Sequence, residues 1–152
     1  HEAFMQVLSE VFVTLAQSII RDGEGATKFI EIKVTGAVTE SDARTLAYTI
    51  AHSPLVKTAM FASDANWGRI LAAIGRAPVD LQIECVDLYL GEVCLISKGL
   101  PDEHYTEGKG RIEMQKQEIK ISVNLNSGTE MATIWTTDLS YDYVKINAEY
   151  RS

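Results

Sequence analysis

The stretch RDGEGATKFIEIKV, residues 21–34, contains the point at which the chain changes its period. Ahead of it, Phe4, Val7, Leu8, Val11, Phe12, Leu15 and Ile19 recur at three- and four-residue steps. That spacing predicts an amphipathic helix stopping near Gly23. From Phe29 the period is two: Ile30, Ile32 and Val34 alternate with Glu31 and Lys33, the pattern of a half-buried strand. Between helix and strand lies Glu24, flanked by Gly23 and Gly25. Glycine is kept where the backbone needs φ > 0 or where a partner approaches closely, so two of them around one carboxylate suggest a presented acid. The same residues also fit a left-handed cap at Gly23 followed by a solvated loop acid.

Working outward, Thr39-x-x-Asp42 is a capping signal for a helix through Leu46, Ala47, Ile50 and Ala51, closed by Ser53-Pro54. Lys57 to Ala62 reads as a short strand. Asp64 is the expected cap of a helix that puts Trp67, Ile70, Leu71 and Ile74 on one face. With Asn66 and Arg69, Asp64 is expected to make a capped helix holding one buried ion pair. Leu81 to Leu90 and Val93 to Ser97 read as a hairpin turning at Gly91-Glu92. A loop rich in Gly, Asp and Glu follows. Ile119, Ile121, Val123 and Leu125 then alternate with Glu118, Lys120, Ser122 and Asn124, and Asn126-Ser127-Gly128 turns the chain into a strand through Ile134 and Trp135. The fold class expected is α/β (α+β): a mixed sheet with two or three helices against one face. Tyr141, Tyr143 and Tyr150 are expected to clamp the tail onto that sheet.

Composition fits one folded domain: 152 residues, 46% hydrophobic and 23% charged. The formal net charge of −7 argues against a nucleic-acid partner, which needs clustered cations. Cys85 and Cys94 have neither a CxxC nor a metal-ligand spacing and read as reduced and structural, and no metal site is expected. No apolar stretch is expected to approach the roughly 20 residues that cross a bilayer, so the chain reads as a cytoplasmic domain without a membrane partner.

Four segments carry a resemblance: RDGEGATKFIEI (21–32), SPLVKTAMF (53–61), SDANWGRILAAIG (63–75) and DLSYDYVKINAEYRS (138–152). In this order, from about Phe4 to Ser152, the chain resembles the C-terminal part of the ornithine acetyltransferase family of arginine biosynthesis. Members of that family cut themselves before a threonine, giving an α chain and a β chain whose N-terminal threonine is the nucleophile. The resemblance implies that this chain corresponds to the later part of β. The catalytic threonine is then upstream, and no catalytic residue is expected here. It implies an α/β roll over residues 28–152. Residues 1–27, the first helix and the DGEG loop, would belong to a larger catalytic layer.

The family reaction moves acetyl from N-acetyl-ornithine to glutamate through an acetyl-threonine. It requires no cofactor; acetyl-CoA as a second acetyl donor stays open. The partners implied are those two amino acids, the α chain and the rest of the β chain, in an α2β2 heterotetramer. By resemblance Glu24, Asn147 and Ser152 are substrate-binding residues: Glu24 would pair with an ammonium, while Asn147 and Ser152 would meet the carboxylate end. Lys28 reads either as a strand-edge lysine in water or as a neutralising partner for Glu24 or for a substrate carboxylate. Two other readings stay open: a self-cleaving aminopeptidase or amidase relative, and a non-catalytic assembly module.

Overall fold

The computed structural model describes residues 2–150. Helix α1 (Glu2–Arg21) leads through the DGEG loop into β1 (Phe29–Ala37). Then come α2 (Glu40–Ala51), α3 (Pro54–Phe61), α4 (Trp67–Gly75), a 3-10 turn (Ile83–Cys85), β2 (Asp87–Leu90), β3 (Val93–Ser97) and β4 (Leu100–Pro101). The chain continues through α5 (Glu107–Met114), β5 (Glu118–Asn124), β6 (Glu130–Thr137) and α6 (Tyr141–Glu149). The strands form one mixed sheet in the order β4-β3-β2-β5-β1-β6, in which β1 and β5 are parallel and every other neighbouring pair is antiparallel.

The two crispest alternating patterns in the sequence lie side by side, with Ile30 opposite Ile119, Ile32 opposite Ile121 and Val34 opposite Val123. All six are buried, together with Leu88 and Leu90 of β2. This apolar face is covered by α2, through Ala43, Leu46, Ala47 and Ile50, with α4 adding Ile70, Ala73 and Ile74. The expected mixed sheet with helices on one face is therefore what forms. Gly36, at φ +70, makes the bulge that ends the β1–β6 register, and its carbonyl accepts the amides of Ser127 and Gly128 from the predicted turn.

Several local expectations are corrected. Residues 57–62 are not a strand: Pro54 opens α3, Ser53 Oγ accepts the Val56 amide, and Val56, Ala59 and Met60 are buried at helical spacing. Asp64 is not the cap of α4. Asn66 Oδ1 accepts the Arg69 amide at 3.1 Å, and Asp64 instead receives Asn66 Nδ2 at 3.0 Å. Arg69 makes no ion pair among the described residues; it donates to Leu55 O and Thr58 Oγ1.

The hairpin strand begins at Asp87 rather than Leu81, because residues 83–85 coil into the 3-10 turn. The acidic loop holds α5, capped by Thr106, which buries only Gly110 and Met114 and so shows little apolar period. The tail is the helix α6. Its tyrosines do not clamp the sheet, since Tyr141, Tyr143 and Tyr150 are exposed and Tyr141 stands edge-on to Phe61 of α3 at 5.4 Å.

Helix α1 buries no residue. It is also 20 residues long and apolar enough to cross a membrane by length and composition, against the expectation that no such stretch exists. The reason is that Gln6, Ser9, Thr14, Gln17 and Ser18 are polar but uncharged, which leaves Glu10 as the only charge between its ends. These side chains leave the helix two-faced. Phe4, Val11, Phe12, Leu15 and Ile19 stand exposed on the apolar side.

Candidate functional site

Helix α1 ends at Arg21, whose guanidinium pairs with Glu118 at 2.6 Å and lies over the Phe29 ring at 3.9 Å. The chain then turns tightly: the Gly23 amide bonds Ile20 O and the Ala26 amide bonds Gly23 O. The left-handed residue is Gly25, at φ +64, not the Gly23 expected to cap the helix. Gly25 is required for a second reason. A Cβ there would stand 2.6 Å from the Tyr143 amide nitrogen and 2.9 Å from Ser140 Oγ. The DGEG loop is thus pressed onto the first turn of α6.

Polar bonds hold it there. Ser140 Oγ accepts the Tyr143 amide as the cap of α6 and donates to Gly25 O at 2.6 Å. Asp138, only 3% exposed, accepts the amides of Thr27 and Lys28 at 2.9 and 3.0 Å through one oxygen and the Thr27 hydroxyl at 2.5 Å through the other. The Lys28 ammonium donates to Ser63 Oγ and Met114 O and is half-buried, so it is not a strand-edge lysine in water and makes no bond to Glu24. Lys57 donates to Thr136 Oγ1 and Thr137 O at the end of β6. Burial pushes both ammonium groups below the ordinary lysine range, with the Asp138 charge opposing the shift.

This scaffold brings together two of the three expected site residues. Asn147 Nδ2 donates to Glu24 Oε2 at 3.2 Å and to Tyr143 O at 2.9 Å, although Glu24 and Asn147 are 123 residues apart in sequence. Both side chains are exposed. With both amide hydrogens engaged, Asn147 has only its carbonyl oxygen to offer. Among the described residues neither that oxygen nor Glu24 Oε1 has a hydrogen-bond partner. The pair therefore presents acceptors, which suit the donors of an ammonium group. Ser152 lies outside the described residues.

Sequence reasoning missed Asp138 and Ser140. The signal available was Ser140 three residues ahead of Tyr143 at a helix start, which the expectation of a clamped tail obscured. A cleft of about 430 Å³ lies elsewhere, among Asp64, Asn66, Trp67, Tyr105, Glu107 and Arg111. There the Tyr105 phenol is pushed up by burial and by the charges of Glu107 and Asp64. Cys85 and Cys94 are free and half-buried.

Residues 1–152 match the ArgJ family. The chain is 55% identical over 148 residues to the arginine biosynthesis bifunctional protein ArgJ of Pseudomonas fluorescens, covering 97% of this chain and 36% of that protein. It is 56% identical over 153 residues to the protein of the same name from Psychrobacter arcticus, covering 100% of this chain and 38% of the relative. The crystal structure of the arginine biosynthesis bifunctional protein ArgJ from Bacillus halodurans superposes with a TM-score of 0.94 at 41% identity, over 98% of this chain and 70% of that one. The chain thus spans little more than a third of the length of these curated relatives. With its motifs, its sheet and its whole length matched, the chain belongs to the ArgJ family.

Proposed function

We propose that this chain is the substrate-gripping part of an ornithine acetyltransferase, which moves acetyl from N-acetyl-ornithine to glutamate through an acetyl-threonine supplied by another segment. The observation that carries the reading is the pair of acceptors at Glu24 and Asn147 that have no hydrogen-bond partner among the described residues. Glu24 binds an ammonium of N-acetyl-ornithine or ornithine, and Asn147 adds its carbonyl to the same group rather than meeting the carboxylate. Ser152 would take the carboxylate end. Residues 1–27 would pack in the catalytic layer and residues 28–152 form the supporting domain. The open apolar stripe of α1 supports that division, because an unburied stripe of this size needs a partner.

The remaining segments would supply nucleophile, base and oxyanion donors, in a cytoplasmic α2β2 assembly. One proportion supports a precursor cut in two. This chain covers 70% of the crystallised Bacillus ArgJ chain but 36% of the Pseudomonas protein, so the crystallised chain is about half as long as the curated one. Whether acetyl-CoA also serves as donor is a separate property of the complete enzyme.

The test is to assay the longer protein carrying this chain with N-acetyl-ornithine and glutamate, following ornithine release by chromatography. Transfer by the complete protein and none by residues 1–152 alone is the expected result. Release of free acetate in place of N-acetylglutamate would favour the amidase alternative.

A further inference from the structure

Glu24 and Asn147 come from opposite ends of the chain, and their separation depends on what fastens the DGEG loop to α6. We propose that Asp138 is a positioning residue that holds Glu24 in register with Asn147, acting through Thr27 and Lys28, and so sets how tightly the substrate ammonium is gripped. This rests on the reading of Glu24 as a substrate ligand and extends it to a buried residue that makes no contact with substrate.

The link between β6 and α6 is three residues long, and each residue is fastened. Asp138 takes three hydrogen bonds from Thr27 and Lys28, the residues that close the loop three and four positions after Glu24. The Leu139 amide donates to Lys57 O at 3.2 Å, tying the link to α3. Ser140 holds Gly25 O and caps the helix that carries Asn147. Glu24 itself is exposed, and its side chain hydrogen-bonds only Asn147 among the described residues. Its position is therefore inherited from these anchors.

A carboxylate is well suited to the task because it accepts from three donors at once. At 3% exposure it has given up most of its hydration, which is costly unless its partners are well placed. The nearby ammonium groups of Lys28 and Lys57 are bonded to neutral oxygens, so they supply positive potential without drawing Asp138 out of its contacts. Removing the carboxylate leaves two loop amides and a hydroxyl without acceptors. The loop must then shift to find water, taking Glu24 with it.

The test is a double-mutant cycle on the complete enzyme, reading kcat/KM for N-acetyl-ornithine. Asp138→Ala is expected to lower it about tenfold or more, mostly through KM, and to make Glu24→Gln cost less than about threefold further, because Glu24 is already displaced. Asp138→Asn should restore most of the loss: Oδ1 can still accept both amides, and the Thr27 hydroxyl can turn to accept from the new amide. If Asp138→Ala does not fold, Thr27→Val removes the hydroxyl contact alone and enters the same cycle. Additive losses, with Glu24→Gln equally costly in both backgrounds, would overturn the positioning role while leaving Glu24 a ligand. A Glu24→Gln enzyme with unchanged kcat/KM would overturn the substrate reading and this inference together.

Discussion

Asn147 spends both amide hydrogens inside the protein, on Glu24 Oε2 and on Tyr143 O, so beside Glu24 it shows a ligand only its carbonyl oxygen. The contact turns an exposed acid and an exposed amide into one surface of acceptors. Such a surface suits a donor-rich cation better than an anion.

Asn147→Ala should therefore weaken binding of the cationic substrate. In the complete enzyme we expect KM for N-acetyl-ornithine to rise about tenfold, the scale of one or two lost hydrogen bonds to a charged group. Thermal stability should change little, since the side chain is exposed. An unchanged KM would place Asn147 outside the grip.

Gly25→Ala should damage site and fold together. Its φ of +64 disfavours any side chain, and the new Cβ would meet the Tyr143 amide nitrogen at 2.6 Å. A loss of about 1–3 kcal/mol in stability is expected, with kcat/KM falling as the loop lifts from α6. Urea denaturation checks the first effect and steady-state kinetics the second. Gly75, whose added Cβ would meet nothing within 4 Å, is the control position.

Burial lowers the Lys57 pKa from 10.5. Below the lowered value the amine is charged in both folded and unfolded chains, and burial penalises the fold. Above 10.5 it is neutral in both and the penalty is gone. The contribution of this group to stability thus grows as pH rises through that window. Wild type minus Lys57→Met, compared by urea denaturation at several pH values, should give a difference that rises toward pH 10.5. A flat or falling difference would mean that burial does not dominate at this amine.

The isolated chain should self-associate through α1. Phe4, Phe12, Leu15 and Ile19 are each more than half exposed on one helix, a stripe that soluble monomers rarely leave open. Sedimentation should show a concentration-dependent species above the monomer mass, and Phe12→Glu with Leu15→Gln should abolish it. A monomer at every concentration would show that the stripe does not drive association.

The sheet was legible because its strands alternate cleanly: Ile30, Ile32 and Val34 against Ile119, Ile121 and Val123 need a buried face and receive one. Helices α2 and α4 were legible for the same reason, and α1 from its apolar stripe alone, which stands exposed. Helices without such a stripe were not. Helix α5 buries two residues and α6 none, so both read as loop or tail. Residues 57–62 misled because Val56, Ala59 and Met60 are close enough in a short segment to serve either period.

At the site, Glu24 was singled out by its flanking glycines, and its role and Asn147 entered through the resemblance, while their contact depends on a tertiary fit that local spacing cannot express. Lys28 was misread for the same reason. Its partners, Ser63 and Met114, are 35 and 86 residues away.

The proposed grip is tested by kcat/KM for N-acetyl-ornithine in the complete enzyme carrying Glu24→Gln, beside the melting curve of the same variant. The substitution keeps the size of the side chain and removes the charge proposed to grip the ammonium. A fall of about ten- to a thousand-fold with an unchanged melting curve is the result predicted. Wild-type kinetics in that variant would contradict it and take Glu24 out of the substrate site.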